Sequence, residues 1–436
     1  MRRMSMRPAV ELSDMKKSLF VLLACLFVVM IGFGITLPVL PFYVERLALA
    51  GGATRQSIII HLTLLTGVYA LMQLFFAPLW GRWSDRVGRR PLILSGIAGY
   101  VVAQVMFGLS TSLPLLYAAR IAGGILSSAT LPASAAYVAD VTSRNERGRG
   151  MAWLGTAASL GVIVGPAVGG LLSRRDWHFD GSFGHFKLDS FSIPFFAAAL
   201  FGLLTFCAAL LWLPESRQKR LPRKQRSAES GSADAIRTWR TLVRLLTPLL
   251  LLTIAGQFAL AIFEGTFALF AKAKFEFGPA QVGYVFMVCG LVMTLFQAGA
   301  VALLAGKVSE SIQIGAGFAL MGAGIALLAV VETKFLIFVF VALLSLGMAL
   351  IAPNLSALIS KRGGEEQAGA SLGIQNAANS LGQSVGPVMG GMLFIWQPDA
   401  PYLLSGALLL GLAVIMGWKT LGRSPRDGSR WIAAAR

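Results

Sequence analysis

Two ionisable residues lie within long apolar segments of the sequence, where a charge is costly and usually serves a function. Arg120 stands in LYAARIAGGILSSA and Glu264 in GQFALAIFEGTFALF. Partial desolvation favours the neutral form of a carboxyl group, so Glu264 is a candidate to take up and release protons. Two interpretations of Glu264 stay open: a proton-coupling group, or a structural partner of Arg120 or of a helix backbone. For Arg120 the alternative to a functional role is a side chain that snorkels to the membrane surface.

A second concentration of charge fills the stretch GRWSDRVGRRP, residues 81–91, which separates two apolar segments. Its composition predicts a short, rigid, charged hairpin loop between two membrane helices. Gly81 and Gly88 would allow close backbone approach or a positive φ, and Asp85 can accept hydrogen bonds from neighbouring arginines. The alternative is that the arginines only mark the cytoplasmic side.

Small residues recur on one face of the helix predicted over 150–173, which contains LGVIVGPAVGGLL. The motif consists of Gly161, Gly165, Pro166, Gly169 and Gly170. Glycines spaced four residues apart let two membrane helices pack backbone to backbone. We therefore expect Gly165→Leu to be more damaging than Gly202→Leu, because Gly202 has no such small partners in the sequence.

The elements that carry these residues are predicted to be transmembrane helices. The 436-residue chain is 56% hydrophobic and 13% charged, with a mean hydropathy of +0.70, which leaves too little polar surface for a soluble globule. Apolar segments long enough to cross a bilayer recur about twelve times. They cover 18–44, 57–80, 91–110, 113–139, 150–173, 191–213, 247–272, 279–304, 312–331, 335–359, 368–395 and 401–421. The sequence thus predicts an all-α integral membrane protein.

An internal repeat relates the two halves of the chain. LGVIVGPAVGG at 160–170 returns as LGQSVGPVMGG at 381–391, an offset of 221, and Pro132 meets Pro353 at the same offset. Parallel repeats of this kind predict two pseudo-symmetric six-helix bundles, with substrate and ions handled between them near the bilayer midplane. The predicted boundaries are an N-terminal bundle over 1–213, a cytoplasmic linker over 214–246 and a C-terminal bundle over 247–436.

Charge placement and residue usage exclude several classes of function. If both termini are cytoplasmic, most of the 38 lysines and arginines fall in cytoplasmic segments. Because basic residues concentrate on the cytoplasmic side of membrane proteins, the sequence predicts a cell-membrane protein with both termini inside. The net charge of +18 then faces membrane lipid headgroups and forms no nucleic-acid-binding face. The cysteines and histidines are isolated from one another, and no phosphate-binding GxxxxGK[ST] loop occurs. We expect no metal, no cofactor and an ion gradient as the energy source.

Several of these stretches resemble motifs of the 12-spanner drug:proton antiporters of the major facilitator superfamily. GFGITLPVLPFYV at 32–44 resembles the family's first-helix motif, and helix 4 matches at Arg120 and Gly124. The loop motif matches at Gly81, Asp85, Gly88, Arg89 and Arg90. The pattern GxxxGPxxGG in helix 5 resembles the motif that the family associates with exporters. The resemblance implies the twelve-helix major facilitator fold.

The resemblance also implies roles for particular residues. Asp85, Arg89 and Asp140 would form a charge relay beneath the N-terminal bundle, although Asp140 alone is equally consistent with a solvated helix end. Some family members have an acidic residue at the place of Glu264, whereas the second acid that some carry in helix 10 is missing here. The second copy of the loop, AGKVSES at 305–311, has no acid equivalent to Asp85, so the first loop is expected to carry the switch role alone.

Aromatic and amide side chains give a weaker indication of a substrate cavity. The candidates are Phe258, Phe263 and Phe267 on helix 7, and Asn376 and Asn379 on helix 11. A stripe of phenylalanines can face an amphipathic compound, but it can also face lipid or a neighbouring helix. The asparagines can equally make interhelical hydrogen bonds.

The function predicted from these features is proton-coupled efflux of drug-like or amphipathic small molecules by alternating access, by a protein expected to act as a monomer. A dedicated exporter of one endogenous product, such as a siderophore, sugar or peptide, is the alternative. A membrane-embedded enzyme or channel is more remote, because no nucleophile–base pair or repeated pore lining occurs at membrane depth. The longest outside loop, 173–190, is expected to be either a small hairpin turning at Asp180-Gly181 or a disordered or lipid-surface loop.

Overall fold

Long helices and one short hairpin make up the computed structural model. It describes residues 12–142, 146–173, 181–183, 186–188, 190–216, 232–304, 307–364 and 367–421. The first seven helices and the hairpin are α1 Leu12–Ala50, α2 Arg55–Val87, α3 Arg89–Gly108, α4 Leu113–Ser127, α5 Thr130–Val141, α6 Arg147–Leu172, β1 Gly181–Phe183, β2 Phe186–Leu188 and α7 Ile193–Trp212. The remaining helices are α8 Ser232–Phe275, α9 Pro279–Leu304, α10 Glu310–Ala329, α11 Lys334–Gly363, α12 Ala368–Trp396 and α13 Ala400–Leu421.

The predicted apolar segments all fold as helices, since a bilayer requires every backbone polar group to be satisfied within the segment. The segment predicted over 113–139 is interrupted at Ser128 and Ala129, so that α4 and α5 together form one span. Within the described residues, eleven helical segments are long and apolar enough to cross a membrane. The segment predicted over 368–395 forms α12, whose Ser, Asn and Gln residues make it less apolar than those eleven.

The expected loop at 81–91 is mostly helical, which corrects the prediction. α2 continues to Val87 and α3 begins at Arg89, so Gly88 alone separates the two helices. Gly88 has φ 116, the region that favours glycine. Gly81, in contrast, lies inside α2, and a Cβ there would meet nothing within 4 Å. Continuing the helix keeps its backbone hydrogen bonds satisfied, so the change of direction is confined to one residue.

A short antiparallel hairpin forms within the segment 173–190, so the hairpin interpretation is confirmed. Gly181 pairs with Leu188 and Phe183 with Phe186. The predicted turn at Asp180-Gly181 is wrong, because Gly181 is already the first residue of β1 and the chain reverses between the two strands.

The chain divides into two compact units, and the first part of α2 does not group with its second part. The first unit comprises Met1–Gly52 and Met72–Lys224, and the second comprises Ala53–Leu71 and Gln225–Arg436. In the first unit, Leu22 and Leu26 of α1 are buried against Ile97 and other residues of α3, α5 and α7. The predicted domain boundaries at 213 and 247 stay a prediction.

The internal repeat extends to the helix boundaries. The equivalent helices begin at Arg89 and Glu310, at Leu113 and Lys334, and at Arg147 and Ala368. Each pair is separated by the offset of 221 that relates the glycine motifs. α3 and α10 also have the same length of 20 residues. The two units are therefore built from the same succession of helices.

Candidate functional site

An ion pair and a hydrogen bond of the same arginine join three helices at the end of the first unit where α3 begins. Arg89 Nε donates to Asp140 Oδ2 at 3.0 Å, and Arg89 Nη1 donates to Ser84 Oγ at 2.9 Å. Arg89 is the first residue of α3, Asp140 lies in the last turn of α5 and Ser84 lies near the end of α2. The structure therefore brings together the arginine and the aspartate that the sequence placed at one membrane face. Their side chains are 14% and 28% exposed, so their pairing energy is modest, about 1 kcal/mol or less.

Glu215, which the sequence analysis did not single out, caps the beginning of α3. The backbone N–H of Arg89 donates to Glu215 Oε1 at 2.9 Å, and that of Arg90 donates to Oε2 at 3.3 Å. The first N–H groups of a helix have no acceptor within the helix, and the helix dipole favours a negative charge there. A Cβ on Gly88 would come within 2.5 Å of Glu215 Oε2, so the glycine makes room for this cap as well as for the positive φ.

Arg90 and Asp85 are two further members of the predicted switch. Arg90 Nη2 donates to the carbonyl oxygen of Leu210 at 2.6 Å and so ties α3 to the end of α7. The backbone of Asp85 lies in α2, but its side chain lies outside the described residues. The part of Asp85 in a charge relay stays a prediction.

The second unit has its own ion pair at the equivalent place, with the signs reversed. Glu310 at the start of α10 pairs with Lys361 near the end of α11. These positions are those of Arg89 and Asp140 shifted by 221. Beside the pair, Asn354 Nδ2 donates to Gln313 Oε1 at 3.1 Å. The acid equivalent to Asp85 is absent from the second unit, but an inverted version of the neighbouring pair is present. That the first loop carries the switch role alone stays a prediction.

Arg120 is buried inside the first unit, with 4% of its surface exposed. Its guanidinium carbon lies 5.8 Å from the ring centroid of Phe107 in α3. Phe107 stacks on Phe195 of α7 at 4.9 Å, and its carbonyl oxygen accepts a hydrogen bond from the hydroxyl of Tyr43 at 2.9 Å. This enclosed aromatic position disfavours the snorkelling interpretation of Arg120, since a snorkelling side chain would reach the surface.

Glu264 lies in α8 of the second unit, within the candidate span Arg240–Phe275, and is partly buried. It is close enough to Cys289 of α9 for an electrostatic interaction. The hydroxyl of Ser345 in α11 donates to Cys289 Sγ at 3.1 Å, which links this part of α9 to α11. Among the described residues of its own unit, Glu264 forms no ion pair with a lysine or arginine. The described residues of its unit therefore give this carboxyl group no fixed countercharge.

The glycine motif packs α6 against α1 with backbones in contact. A Cβ on Gly165 would lie 2.5 Å from the carbonyl oxygen of Ile31, and one on Gly161 would lie 2.5 Å from that of Phe27. The remaining motif residues are Gly169, 2.8 Å from Ile35 O by the same measure, Pro166, which adjoins Gly34, and buried Gly170. The structure therefore shows the close packing that the spacing predicts.

The repeated motif gives α12 the same packing against α8 in the second unit. A Cβ on Gly382 would lie 2.8 Å from the carbonyl oxygen of Ile254, and one on Gly386 would lie 2.7 Å from that of Phe258. Gly202, however, is not the permissive position that the sequence suggested. A Cβ there would lie 2.8 Å from both Tyr100 Cε1 and Val101 Cγ2, because α7 packs closely on α3.

The candidate cavity residues separate into two groups. Phe263 and Phe267 are fully buried, with ring centroids 5.0 Å apart, and both contact Phe286 of α9. Their surroundings match the interpretation as packing against a neighbouring helix. Phe258 is partly buried, Asn376 is exposed and Asn379 is partly buried. The asparagines stay candidates for contact with a substrate.

These helices and buried charges define a multi-pass membrane protein made of two internally related units, each with an ionisable residue at membrane depth. The family model described as Major Facilitator Superfamily matches residues 22–387 and 299–431. The chain belongs to this family of transporters, and it is not an enzyme. The family and the all-helical fold predicted from the sequence motifs are thereby confirmed.

Two relatives that align with most of this chain are drug-resistance proteins. The chain is 29% identical over 415 residues to Multidrug resistance protein 2 of Bacillus subtilis (strain 168), covering 94% of this chain and 97% of that protein. It is 29% identical over 384 residues to Tetracycline resistance protein, class B, of Escherichia coli, covering 88% and 89%. The crystal structure of the human organic anion transporter MFSD10 (TETRAN) aligns with a TM-score of 0.68 at 23% identity, covering 92% of this chain and 99% of that chain. The protein is a major facilitator transporter related to drug efflux antiporters.

Proposed function

We propose that this transporter exports drug-like or amphipathic small molecules in exchange for protons, by alternating access of its two units. The observation that carries the proposal is Glu264, an acid inside a membrane span with no basic partner among the described residues of its unit. A carboxylate in such surroundings is costly to keep charged, so proton uptake accompanies any step that leaves it enclosed. Full-length similarity to resistance proteins supports the efflux direction and the substrate class.

The remaining predicted residues take supporting roles in this mechanism. Arg120 contributes a buried positive charge at membrane depth in the first unit. The set formed by Asp85, Gly88, Arg89, Arg90 and Asp140 biases the equilibrium between the two access states. Gly81 stays a predicted member of the set, although a Cβ there would meet nothing within 4 Å. The distribution of lysine and arginine supports a cell-membrane orientation with both termini cytoplasmic, and we infer a monomer that needs no cofactor.

The experiment uses purified protein in proteoliposomes with a pH-sensitive dye inside. Tetracycline serves as the first probe, because a full-length relative is a tetracycline resistance protein. We expect an imposed proton gradient to drive tetracycline accumulation against its own gradient, and an uncoupler to abolish that accumulation. A rate of tetracycline transport that changes neither with the proton gradient nor with the uncoupler would contradict proton coupling. In a growth-inhibition panel, protection against several unrelated drugs supports drug efflux, whereas protection against one compound indicates a dedicated exporter.

A further inference from the structure

A groove in the first unit runs between the beginning of α1 and the end of α7. Its volume is about 910 Å³. Lys17 and Arg90 supply basic side chains, whereas Phe20, Leu211 and Trp212 supply exposed apolar surface. None of the described residues that line the groove is acidic. The groove therefore combines two basic side chains with exposed apolar surface.

The groove lies at the level where membrane spans begin and end. One candidate span begins at Lys17, another begins at Arg89, and a third ends at Trp212. Lysine and tryptophan at span ends are typical of the headgroup region, where the polar tip meets water and the apolar part meets acyl chains. A ligand held here would place its polar end among the headgroups and its apolar part along the acyl chains.

Arg90 gives the groove a preference for an anionic group. Its Nη2 is held by the carbonyl oxygen of Leu210, whereas its Nε is buried and has no acceptor in the described part of the chain. A buried donor without an acceptor is costly, and phosphate oxygens match the donor geometry of a guanidinium group. Because Arg90 lines the groove, a phosphate placed there would be attracted by the positive charge of the guanidinium group.

We propose that this groove binds one anionic phospholipid, with the headgroup phosphate between Lys17 and Arg90 and the acyl chains against Phe20 and Leu211. These two apolar side chains are 73% and 72% exposed, so they offer their surface to lipid. The sequence RQKRLPRKQR at 217–226 has the same sign of charge as Lys17 and Arg90, so it offers them no countercharge. The proposal depends on the groove alone and not on the transported substrate.

Native mass spectrometry of the full-length protein tests the proposal. The protein is released from mixed micelles that contain phosphatidylglycerol and phosphatidylcholine with identical acyl chains. We expect one phosphatidylglycerol to be retained in preference to phosphatidylcholine. Each basic contact is worth roughly a five-fold preference, so the double variant Lys17→Gln/Arg90→Gln should retain phosphatidylglycerol about thirty-fold less well. Arg240→Gln is the matched control, since Arg240 also begins a candidate span but does not line the groove.

Equal retention of both lipids by the wild-type protein would overturn the proposal, as would undiminished retention by the double variant. A second measurement covers the case in which the double variant does not fold. Phosphatidylglycerol with brominated acyl chains should quench tryptophan fluorescence in the wild-type protein more than in Trp212→Phe, and excess inorganic phosphate should not reverse this. Equal quenching in the two proteins would mean that the lipid does not occupy the groove.

Discussion

At the level of single residues, the surroundings of a charge decide what it can do. The guanidinium carbon of Arg120 lies 5.8 Å from the ring centroid of Phe107, and Arg89 has a carboxylate at 3.0 Å. Glu264 has neither kind of partner among the described residues of its unit. A charge with a fixed partner resists a change of protonation, whereas a partly desolvated carboxyl group without one changes protonation readily. Glu264 is therefore the residue at which proton movement is best tested.

Glu264→Gln keeps the shape and the hydrogen-bonding ability of the side chain but cannot change charge. We expect active efflux against a gradient to be lost, while downhill exchange of substrate survives because it needs no net proton movement. The measurement is substrate-induced proton release in proteoliposomes, beside thermal unfolding of the same variants. Glu332→Gln is the control, since Glu332 is exposed between α10 and α11. Wild-type proton release from folded Glu264→Gln protein would rule out the coupling role. Loss of folded protein, partly rescued by Arg120→Gln, would instead support the structural interpretation.

Gly88 and Gly81 provide a second test at the same scale. Gly88→Ala should destabilise the protein by about 1–3 kcal/mol, because alanine is strained at positive φ and its Cβ would displace the Glu215 cap. Gly81→Ala should be neutral or stabilising by about 0.5–1 kcal/mol, because alanine favours a helix and the space is open. Thermal unfolding in one detergent compares the two variants. A Gly88→Ala protein as stable as Gly81→Ala would show that the cap and the backbone conformation matter little.

At the level of helices, the same contact is built twice. α6 packs on α1 through Gly161 and Gly165, and α12 packs on α8 through Gly382 and Gly386. In a bilayer the hydrophobic effect does not drive helices together, so van der Waals packing contributes more to their association. Small residues strengthen that packing because they let two backbones approach closely. Each unit therefore contains a helix pair that is packed in this way.

Gly165→Leu should reduce the yield of folded protein and transport, because the added side chain would overlap the backbone of Ile31 and Gly34. The appropriate control is Gly155→Leu in the same helix, where a Cβ meets nothing within 4 Å, rather than the unsuitable Gly202. Because Gly386 occupies the position in the internal repeat that is equivalent to Gly165, Gly386→Leu should be as damaging as Gly165→Leu. Expression-normalised transport and thermal unfolding measure the effect. Similar results for Gly165→Leu and Gly155→Leu would refute the importance of close packing.

At the level of the whole molecule, the sequence predicts what depends on local patterns and misses what depends on distant contacts. Apolar segment lengths predict the helices, and the repeat of 221 residues predicts their common order. The cap by Glu215 is not predictable in this way, since nothing local connects an acid after α7 with the beginning of α3. The Glu310–Lys361 pair is missed for a different reason. A comparison of the two repeats looks for the same residue types at equivalent positions, whereas this contact is retained with the acid and the base exchanged. The end of α2 is missed because charged residues suggest a loop although the backbone stays helical.

The inverted pair supports a prediction about the second unit. Glu310→Lys places two positive charges together and should slow transport, and Lys361→Glu should do the same with two negative charges. The double variant Glu310→Lys/Lys361→Glu restores attraction, with the signs of the first unit, and should recover most of the rate. Because Lys361 is 65% exposed, the change in stability should be below about 1 kcal/mol, so the transport rate is the informative measurement.

The control for this charge exchange is Glu332→Lys, which makes the same change of charge at an exposed acid for which the described structure shows no ion pair. It should transport at the wild-type rate, so that any effect of Glu310→Lys reflects the broken pair and not the added charge. Two single variants that are each slow, with a double variant that is fast, would establish that the pair itself matters. A double variant slower than either single variant would mean that the two residues act through separate contacts, and that the pair at α10 and α11 is only a surface feature of the repeat.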